Sequence, residues 1–314
     1  MKTFYTTTAA LRAVTFAASL VLTGVPVSAA DVGKPILRLT RIESEVGVGR
    51  AYGFKRVRDN VRYGRKAQRF EIRHGDCGGN KYWDDCTNDR QRIERKEDPK
   101  DRIQRVGSKV WYGWSMYLDP NYPDLGKTNA AFGQVKMRNW RSPLWMIKLK
   151  SGRLNLNIQS AENCFLAPLS QLRGRWTDFV LYADYSQRPT GPSLILYLNG
   201  EKVCTYNKPM VTPAMAQVEN GQLNVKYGIY NSYVSRWLDL NKTKTVAPLA
   251  LDDRFDLSDG TRGKSGSPAA EPFAYDWGVK LPTQVVYYDE MRYGTRRDQV
   301  DVRMIEARGG KPAD

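Results

Sequence analysis

Residues 193–206 read Ser-Leu-Ile-Leu-Tyr-Leu-Asn-Gly-Glu-Lys-Val-Cys-Thr-Tyr, and this stretch decides the fold class. Apolar residues dominate positions 194–198, and Asn199-Gly200 follows at once. An Asn-Gly pair between two strand-like runs is typical of a tight β-hairpin. We therefore predict two antiparallel strands here, Ser193 to Leu198 and Lys202 to Tyr206.

Strand patterns continue on both sides of this hairpin. Residues 153–159 alternate apolar and polar side chains, and similar patterns occupy 110–118, 177–185, 222–230 and 285–293. Many strands with little helical periodicity predict an all-β sandwich. Three other segments resist this interpretation. We expect a solvated loop or short helix at 87–105, a long functional loop at 232–282 and a frayed tail at 296–314.

The N-terminus has the pattern of an export signal. Residues 1–30 combine early positive charges at Lys2 and Arg12, a short apolar stretch and small residues before Asp31. This pattern predicts a signal peptide, followed by a single domain over 31–314 with its core at about 65–294. The apolar stretch is too short to predict a transmembrane helix. We expect a secreted or periplasmic monomer without membrane insertion.

Export to an oxidising compartment favours disulfides between the four cysteines. We expect Cys77 to pair with Cys86 and Cys164 to pair with Cys204, although four cysteines allow three pairings. A zinc site is not predicted, because the chain has no Cys-x-x-Cys pair and a single histidine.

The charge of the chain points to a polyanionic partner. Forty-nine Lys and Arg oppose 33 Asp and Glu, which gives a formal charge of +16. An exported protein of this kind meets acidic glycans more often than nucleic acid, and no nucleic-acid motif is present. A basic protein that makes no use of its charge remains the alternative.

Three strand-like segments carry the candidate chemistry. They are Arg69-Phe70-Glu71-Ile72-Arg73, Gln134-Val135-Lys136 and Lys226-Tyr227-Gly228-Ile229-Tyr230. Strand side chains alternate between faces, so Arg69, Glu71 and Arg73 share one face, as do Gln134 with Lys136 and Lys226 with Tyr230. Each segment taken alone is an ordinary ion-paired or polar strand face, but the three together indicate a glycan site.

In these segments the sequence resembles the jelly-roll polysaccharide lyases, the group of alginate, glucuronan and heparin lyase I-like enzymes. Alginate lyases of that fold carry Arg-x-Glu-Leu-Arg, Gln-Ile/Val-His and Tyr-Phe-Lys-Ala-Gly-x-Tyr-x-Gln strands in this order, and residues 287–294 look like their last strand. The resemblance spans roughly residues 65–294. It implies a concanavalin-like β-jelly-roll sandwich with long loops around a concave groove.

The resemblance also implies β-elimination on a uronic-acid polysaccharide. The uronate carboxylate must be neutralised while the C5 proton leaves, and Arg69 and Gln134, supported by Lys226, suit this role. Tyr230 would take the proton and protonate the departing O4, provided that nearby cations lower its pKa.

Lys136 departs from the family pattern, which usually has histidine at this position. In the family that histidine is the base when the proton and the leaving group lie on opposite faces of the sugar. Its loss favours substrates with both on one face, where a single tyrosine can serve both steps. Glucuronan-like polymers therefore rank first and mannuronate-rich alginate second. Lys136 is either a desolvated base or a carboxylate contact.

Further substrate contacts are predicted around this centre. The candidates are Arg73, Glu71, Asn155, Asn157 and His74. Strand parity places His74 with Phe70 and Ile72, so it reaches the groove only if the strand ends at Arg73.

Other functions are less well supported. A glycoside hydrolase needs two carboxylates flanking the bond, and the Glu-x-Asp-x-Glu strand of β-glucanases is absent. A non-catalytic module that binds acidic glycans is the main alternative. No cofactor is expected to be required. Calcium is conceivable at four clustered carboxylates, Asp252, Asp253, Asp256 and Asp259.

Overall fold

The computed structural model describes residues 32–35, 40–42, 52–76, 78–80, 83–85, 88–97, 104–138, 140, 142–218, 221–241 and 279–314. The predicted signal peptide, Cys77, Cys86 and the four candidate calcium ligands lie outside these residues. In the described part the chain forms strands with a few short helices, as the alternating patterns predicted.

The strands, in chain order, are β1 Lys34–Pro35, β2 Thr40–Ile42, β3 Phe54–Val57, β4 Ala67–Ile72, β5 Gly79–Asn80, β6 Trp83–Asp84, β7 Arg90–Glu97, β8 Lys109–Leu118, β9 Asn129–Met137, β10 Pro143–Lys150, β11 Arg153–Ile158, β12 Ala161–Pro168, β13 Trp176–Asp184, β14 Leu194–Leu198, β15 Glu201–Tyr206, β16 Leu223–Ser232 and β17 Gln284–Gly294. The helices are α1 Pro213–Ala216, α2 Ser235–Asn241 and α3 Val302–Ala307, with 3-10 turns at Leu169–Gln171 and Arg297–Gln299. The predicted hairpin is present as β14 and β15, with Asn199 and Gly200 at its turn.

Two antiparallel sheets hold most of these strands. The first has the order β15-β14-β13-β8-β17-β4-β3, with β1 also paired to β17. The second has the order β12-β11-β10-β9-β16-β7-β2, and β5 and β6 form a separate pair. Strands that lie far apart in the chain are neighbours in both sheets, so the order of the strands depends on tertiary pairing.

The core lies between the two sheets, where aromatic rings from both meet. The ring of Phe70 on β4 lies 5.9 Å from that of Tyr227 on β16, and Trp114 on β8 stacks at 6.4 Å on Trp145 of β10. These side chains are nearly inaccessible to water, so their burial contributes strongly to folding. Residues next to them on each strand consequently point away from the core.

One disulfide closes the side of the sandwich. Cys164 on β12 is bonded to Cys204 on β15, and these two strands are edge strands of the two different sheets. The predicted Cys164–Cys204 pairing is confirmed. The covalent link fixes the position of β12, which borders the candidate site described below.

Two sequence-based expectations about segments were wrong. Residues 90–97 form the inner strand β7 instead of a loop or helix. The C-terminal tail is docked, because the backbone N–H of Ala313 donates to the buried carboxylate of Glu290 and Arg292 donates to the Lys311 carbonyl. Among the described residues, no helix has the length and apolar character needed to cross a bilayer.

Candidate functional site

A cleft of about 440 Å³ lies on the outer face of the seven-stranded sheet. Its strand residues lie on β7, β16, β9, β10 and β11, which are five neighbouring strands, so the cleft crosses the strands. Its lining comprises Arg90, Arg92, Asn129, Gln134, Lys136, Ser142, Pro143, Met146, Lys148, Lys150, Asn157, Ser160, Lys226, Tyr230, Ser232, Tyr233 and Arg236.

The cleft is strongly cationic. Seven of its lining residues are Lys or Arg, and the described lining includes no Asp or Glu. Clustered charges of one sign in a concave site attract a ligand of the opposite charge and raise its local concentration. The cleft is therefore suited to a chain that carries repeated negative charges.

Tyr230 lies among these cations near the C-terminal end of β16. Arg92 of β7 is its direct cross-strand neighbour, with the guanidinium carbon 5.0 Å from the centre of the phenol ring. The Nε of Arg90 donates a 3.1 Å hydrogen bond to the Tyr230 hydroxyl. The phenol is thus held between two arginines on the neighbouring strand.

The pKa of Tyr230 does not move in the expected direction. Burial raises it above its ordinary value, and the positive charges of Arg92 and Arg90 only partly oppose this effect. Arg92 is itself paired with the buried carboxylate of Asp85 at 2.6 Å, which weakens the field that it exerts on the phenol. The two arginines lower this pKa as expected, but burial outweighs them, so the net lowering that the proposed role called for is not found and the resting side chain is a protonated phenol.

A backbone irregularity directly precedes Tyr230 on β16. The pairing of β16 with β9 shifts between Tyr227 and Tyr230, and Gly228 between them has a φ of 141°. A Cβ at Gly228 would lie 2.2 Å from the carbonyl oxygen of Ile93 on β7. Glycine is therefore required here for β16 to lie close to β7, two residues before Tyr230.

Gln134 and Lys226 are cross-strand neighbours beside Tyr230 and line the same cleft. The Gln134 amide nitrogen donates to Glu94 on β7 at 2.7 Å, and both side chains are buried. This bond fixes the amide with its nitrogen toward β7, and the second N–H of that nitrogen remains as a donor. Lys136 lies two residues along β9 on the same face and also lines the cleft.

The structure does not bring Arg69, Glu71 and Arg73 into this cleft. They lie on β4, which belongs to the eight-stranded sheet. Phe70 packs inward against Tyr227, so Arg69 points to the outer face of the opposite sheet, where its Nε bonds the Tyr287 hydroxyl at 3.3 Å. Glu71 is ion-paired with both arginines. The predicted convergence of residue 69 with 134, 226 and 230 was wrong.

The other predicted contacts divide in the same way. Asn157 lines the cleft, whereas Asn155 lies buried on the same face of β11 and donates to the Arg153 carbonyl at 2.9 Å. The Nδ1 of His74 accepts the backbone N–H of Leu281 at 3.1 Å, and His74 is not part of the cleft lining. The structure therefore does not place His74 in this cleft.

Sequence reasoning missed the contribution of β7. Arg90 and Arg92 line the cleft, and Glu94 positions Gln134. A signal was available, since Arg92-Ile93-Glu94 repeats the Arg-x-Glu spacing that was assigned to residues 69–71. The segment does not look like a strand in the sequence, because its core-facing residues include the polar Gln91 and Arg95. In the structure Arg95 donates to Gln68 at 2.7 Å, which satisfies its charge in the interior.

No metal centre is evident in the part of the chain that the structure describes. In these residues there is no group of three or more His, Cys, Asp or Glu side chains that could hold a metal ion. The aspartates considered for calcium, Asp252 to Asp259, lie outside this part.

Comparisons with known proteins agree with this architecture. A family model described as polysaccharide lyase matches residues 38–292. The endo-β-1,4-glucuronan lyase of the fungus Trichoderma reesei shares 16% sequence identity at a TM-score of 0.53, covering 86% of this chain and 96% of its own. The alginate lyase AlgAT5 of polysaccharide lyase family 7 shares 14% identity at a TM-score of 0.48, covering 82% and 94%. No curated protein matches the chain. The expected β-jelly-roll fold is confirmed.

Proposed function

The chain belongs to the polysaccharide lyase family, and on this premise we propose that its cationic cleft binds a uronic-acid polymer and cleaves it with Tyr230 as base and acid. The observation that carries the proposal is the position of the Tyr230 hydroxyl, 3.1 Å from Arg90 Nε in a cleft lined by seven cations. A single phenol with cationic neighbours provides both the proton acceptor and the proton donor that elimination needs.

The carboxylate of the reacting sugar would be neutralised by Gln134, Lys226 and Lys136. As the C5 proton leaves, negative charge spreads onto this carboxylate, and preoriented donors stabilise it most when water is excluded. Gln134 is preoriented by its bond to Glu94, and Lys226 lies next to it across the strands. Arg92 replaces Arg69 as the arginine of the site, because Arg92 faces Tyr230 and Arg69 does not.

Tyr230 acts first as base and then as acid in this scheme. The phenolate oxygen takes the C5 proton, the electron pair forms the C4–C5 double bond, and the bond to O4 breaks. The same hydroxyl then protonates O4. Arg90 donates a hydrogen bond to the phenolic oxygen, so it stabilises the phenolate form that accepts the proton.

The proposed substrate has the C5 proton and O4 on one face of the sugar. Lys136 occupies the position where the family has histidine, and His74, the one histidine in the chain, is bonded to Leu281 away from the cleft. A single tyrosine serves both steps only when both groups lie on its side. D-glucuronate and D-mannuronate have this geometry, so glucuronan ranks first and mannuronate-rich alginate second. A glucuronan lyase is also among the proteins that share the fold.

We further propose that the protein is secreted or periplasmic as a monomer and that residues 31–314 form one domain. The Cys164–Cys204 disulfide supports an oxidising compartment. The scheme uses side-chain cations only, so no cofactor is needed. Addition of a chelator should leave turnover unchanged, whereas a loss restored by calcium would point to the aspartates at 252–259.

A polymer screen tests the proposal. Glucuronan, poly-mannuronate, poly-guluronate, heparin and hyaluronan are incubated with the protein, and unsaturated ends are followed by ultraviolet absorbance. We expect the fastest release from glucuronan, then from poly-mannuronate. Saturated reducing ends without unsaturated ones would overturn elimination. The variant Tyr230→Phe should keep binding but lose turnover, and an unchanged rate would overturn the role of the phenol.

A further inference from the structure

An exposed aromatic ring lies on the cleft side of the seven-stranded sheet, beyond the residues that line the cleft. Phe165 on β12 is 45% exposed, which makes it one of four large hydrophobic side chains exposed among the described residues. The guanidinium carbon of Arg153 on β11 lies 4.1 Å from the centre of its ring. An exposed ring is costly to keep in water, so a ligand that covers it would gain binding energy.

The strand register aligns Phe165 with Tyr230. Tyr230 pairs with Ala131 of β9, Ala131 with Lys148 of β10, Lys148 with Asn155 of β11, and Asn155 with Phe165. These residues form one row across the sheet, and β12 lies four strand intervals from β16. At a spacing of about 4.8 Å per interval, the row is roughly 19 Å long. One interval is comparable to the length of one sugar residue in an extended chain.

The direction of the cleft is the same as that of the row. The cleft crosses the strands from β7 to β11, and β12 is the next strand of this sheet. A polymer that lies in the cleft over Tyr230 is therefore led toward Phe165. Lys148 lies in the row between Tyr230 and Phe165, and Arg153 of β11 lies against the Phe165 ring. Both positive charges suit an acidic chain.

The structure also holds the ring in place. Cys164, the residue before Phe165, is bonded to Cys204 on the opposite sheet, and it points inward while Phe165 points outward. Asn155, the neighbour of Phe165 in the row, donates to the Arg153 carbonyl. Its Oδ1 is buried and has no hydrogen-bond partner among the described residues, so the row carries an unsatisfied acceptor directly beside Phe165.

The other exposed aromatic side chain of the described residues has a similar setting. Tyr233 lines the cleft and lies between Arg90 and Arg236, whose guanidinium carbons are 4.7 and 4.1 Å from its ring. Exposed rings backed by arginine thus occur at two places on the same face of the sheet. Aromatic faces suit the apolar side of a sugar, and arginine suits its carboxylate.

We propose that Phe165 and Arg153 form a distal subsite that binds a uronate residue about four sugar units from the scissile bond. This inference rests on the proposed function, because it takes Tyr230 as the reacting centre. The subsite makes the enzyme prefer chains long enough to contact both Tyr230 and Phe165, which corresponds to endo action on long polymers.

The test is the dependence of kinetics on chain length. Phe165→Ala is compared with the unchanged protein on long glucuronan and poly-mannuronate and on trimers of the same sugars. We expect KM for the polymer to rise roughly five- to tenfold and the trimer kinetics to stay the same. Phe165→Trp should restore the polymer KM, because it retains a ring, and Arg153→Gln should raise KM in the same direction.

Met304→Ala provides the matched control. Met304 is 40% exposed on α3, which packs beside β8 of the opposite sheet. Its loss should therefore leave the kinetics on both the polymer and the trimers unchanged. Melting temperatures of all variants should agree, since each side chain is exposed. Equal KM values for Phe165→Ala and the unchanged protein on the polymer would overturn the subsite, as would an equal effect on trimers.

A binding measurement separates this inference from the proposed function. If the unchanged protein releases no unsaturated ends from either polymer, the proposed function fails. Electrophoresis through gels that contain the two polymers still decides the subsite. Retardation of the unchanged protein that is weakened in Phe165→Ala supports a glycan contact at Phe165, and equal retardation overturns it.

Discussion

The Nε of Arg90 donates a 3.1 Å hydrogen bond to the hydroxyl of Tyr230, and the two residues lie on neighbouring strands of one sheet. This contact joins the candidate reacting group to a permanent positive charge. Because the guanidinium carries a positive charge, it favours the phenolate over the neutral phenol.

Arg90→Ala should slow turnover much more than it weakens binding. The phenolate loses a charge-assisted donor, and loss of one such donor lowers kcat by roughly 10²-fold in comparable sites. The measurement is kcat and KM on glucuronan. Arg65→Ala is the control, because the Arg65 side chain is 83% exposed and its ion-pair partner is Asp314 near the C-terminus. A drop of similar size in both variants would argue against a specific role for Arg90.

The rate should increase with pH from neutral to alkaline conditions. Burial raises the pKa of Tyr230, so near neutral pH only a small fraction of the enzyme carries the phenolate that accepts the C5 proton. Raising the pH increases this fraction, and kcat/KM increases with it. In Arg90→Ala the rise should occur at higher pH, because a cation that favours the phenolate is gone. A kcat/KM that decreases through this range would contradict Tyr230 as the base.

Exchange of Gln134 and Glu94 should separate stability from activity. Gln134→Ala leaves the buried Glu94 carboxylate without its 2.7 Å donor, which should lower the free energy of unfolding by about 1–3 kcal/mol and also reduce turnover. The double variant Gln134→Glu with Glu94→Gln retains an amide–carboxylate bond, so it should recover much of the stability.

Turnover of that double variant should stay low. Its carboxylate now faces the carboxylate of the substrate, and like charges repel. Thermal unfolding and initial rates on glucuronan provide the two measurements. Recovery of both quantities together would show that Gln134 acts through folding alone.

Loss of the Cys164–Cys204 disulfide should destabilise the protein. The bond closes a loop with a sequence separation of 40, for which the stabilisation is about 2–4 kcal/mol. Cys164→Ala with Cys204→Ala should therefore melt at a lower temperature. A reducing agent should lower the melting temperature of the unchanged protein by more than that of the double variant, which has already lost this bond.

Removal of the last five residues should also destabilise the fold. The Ala313 N–H bonds the buried Glu290, and the Lys311 carbonyl accepts from the buried Arg292. Burial raises the pKa of Glu290 to about 7, so this carboxylate depends on its remaining partners. We expect the free energy of unfolding to fall by roughly 3–6 kcal/mol, since two bonds to charged groups are lost and each costs ~1.5–3 kcal/mol. An unchanged denaturant midpoint would mean that the tail is not docked in solution.

The strands themselves were predictable because their patterns are local. The alternation in residues 153–159 gave the buried face of β11, and Asn199-Gly200 gave the hairpin of β14 and β15. Side-chain parity also grouped Gln134 with Lys136 and Lys226 with Tyr230 on the cleft face. These relations extend over a few residues, where backbone geometry alone decides which way a side chain points.

The assignment of strands to sheets was not predictable in the same way. Arg69 and Arg92 both occur in Arg-x-Glu strands, and only the pairing of β7 with β16 brings Arg92 to Tyr230. β7 also lacks an apolar alternation, because the charged Arg95 occupies one of its core-facing positions. This is tolerated since Arg95 donates to the buried Gln68 of the other sheet. A charged segment becomes an inner strand only when distant residues neutralise it, and the local sequence does not contain that information.

The proposed reaction depends on Gly228 because this residue has no Cβ atom. Its missing side chain lets β7 and β16 approach closely, and Arg90, Arg92 and Tyr230 are carried on these two strands. A methyl group at this position would separate the strands and misalign the phenol while leaving every chemically active residue intact. Inherited inactivity in such an enzyme can therefore arise at a position with no functional group, through backbone spacing alone.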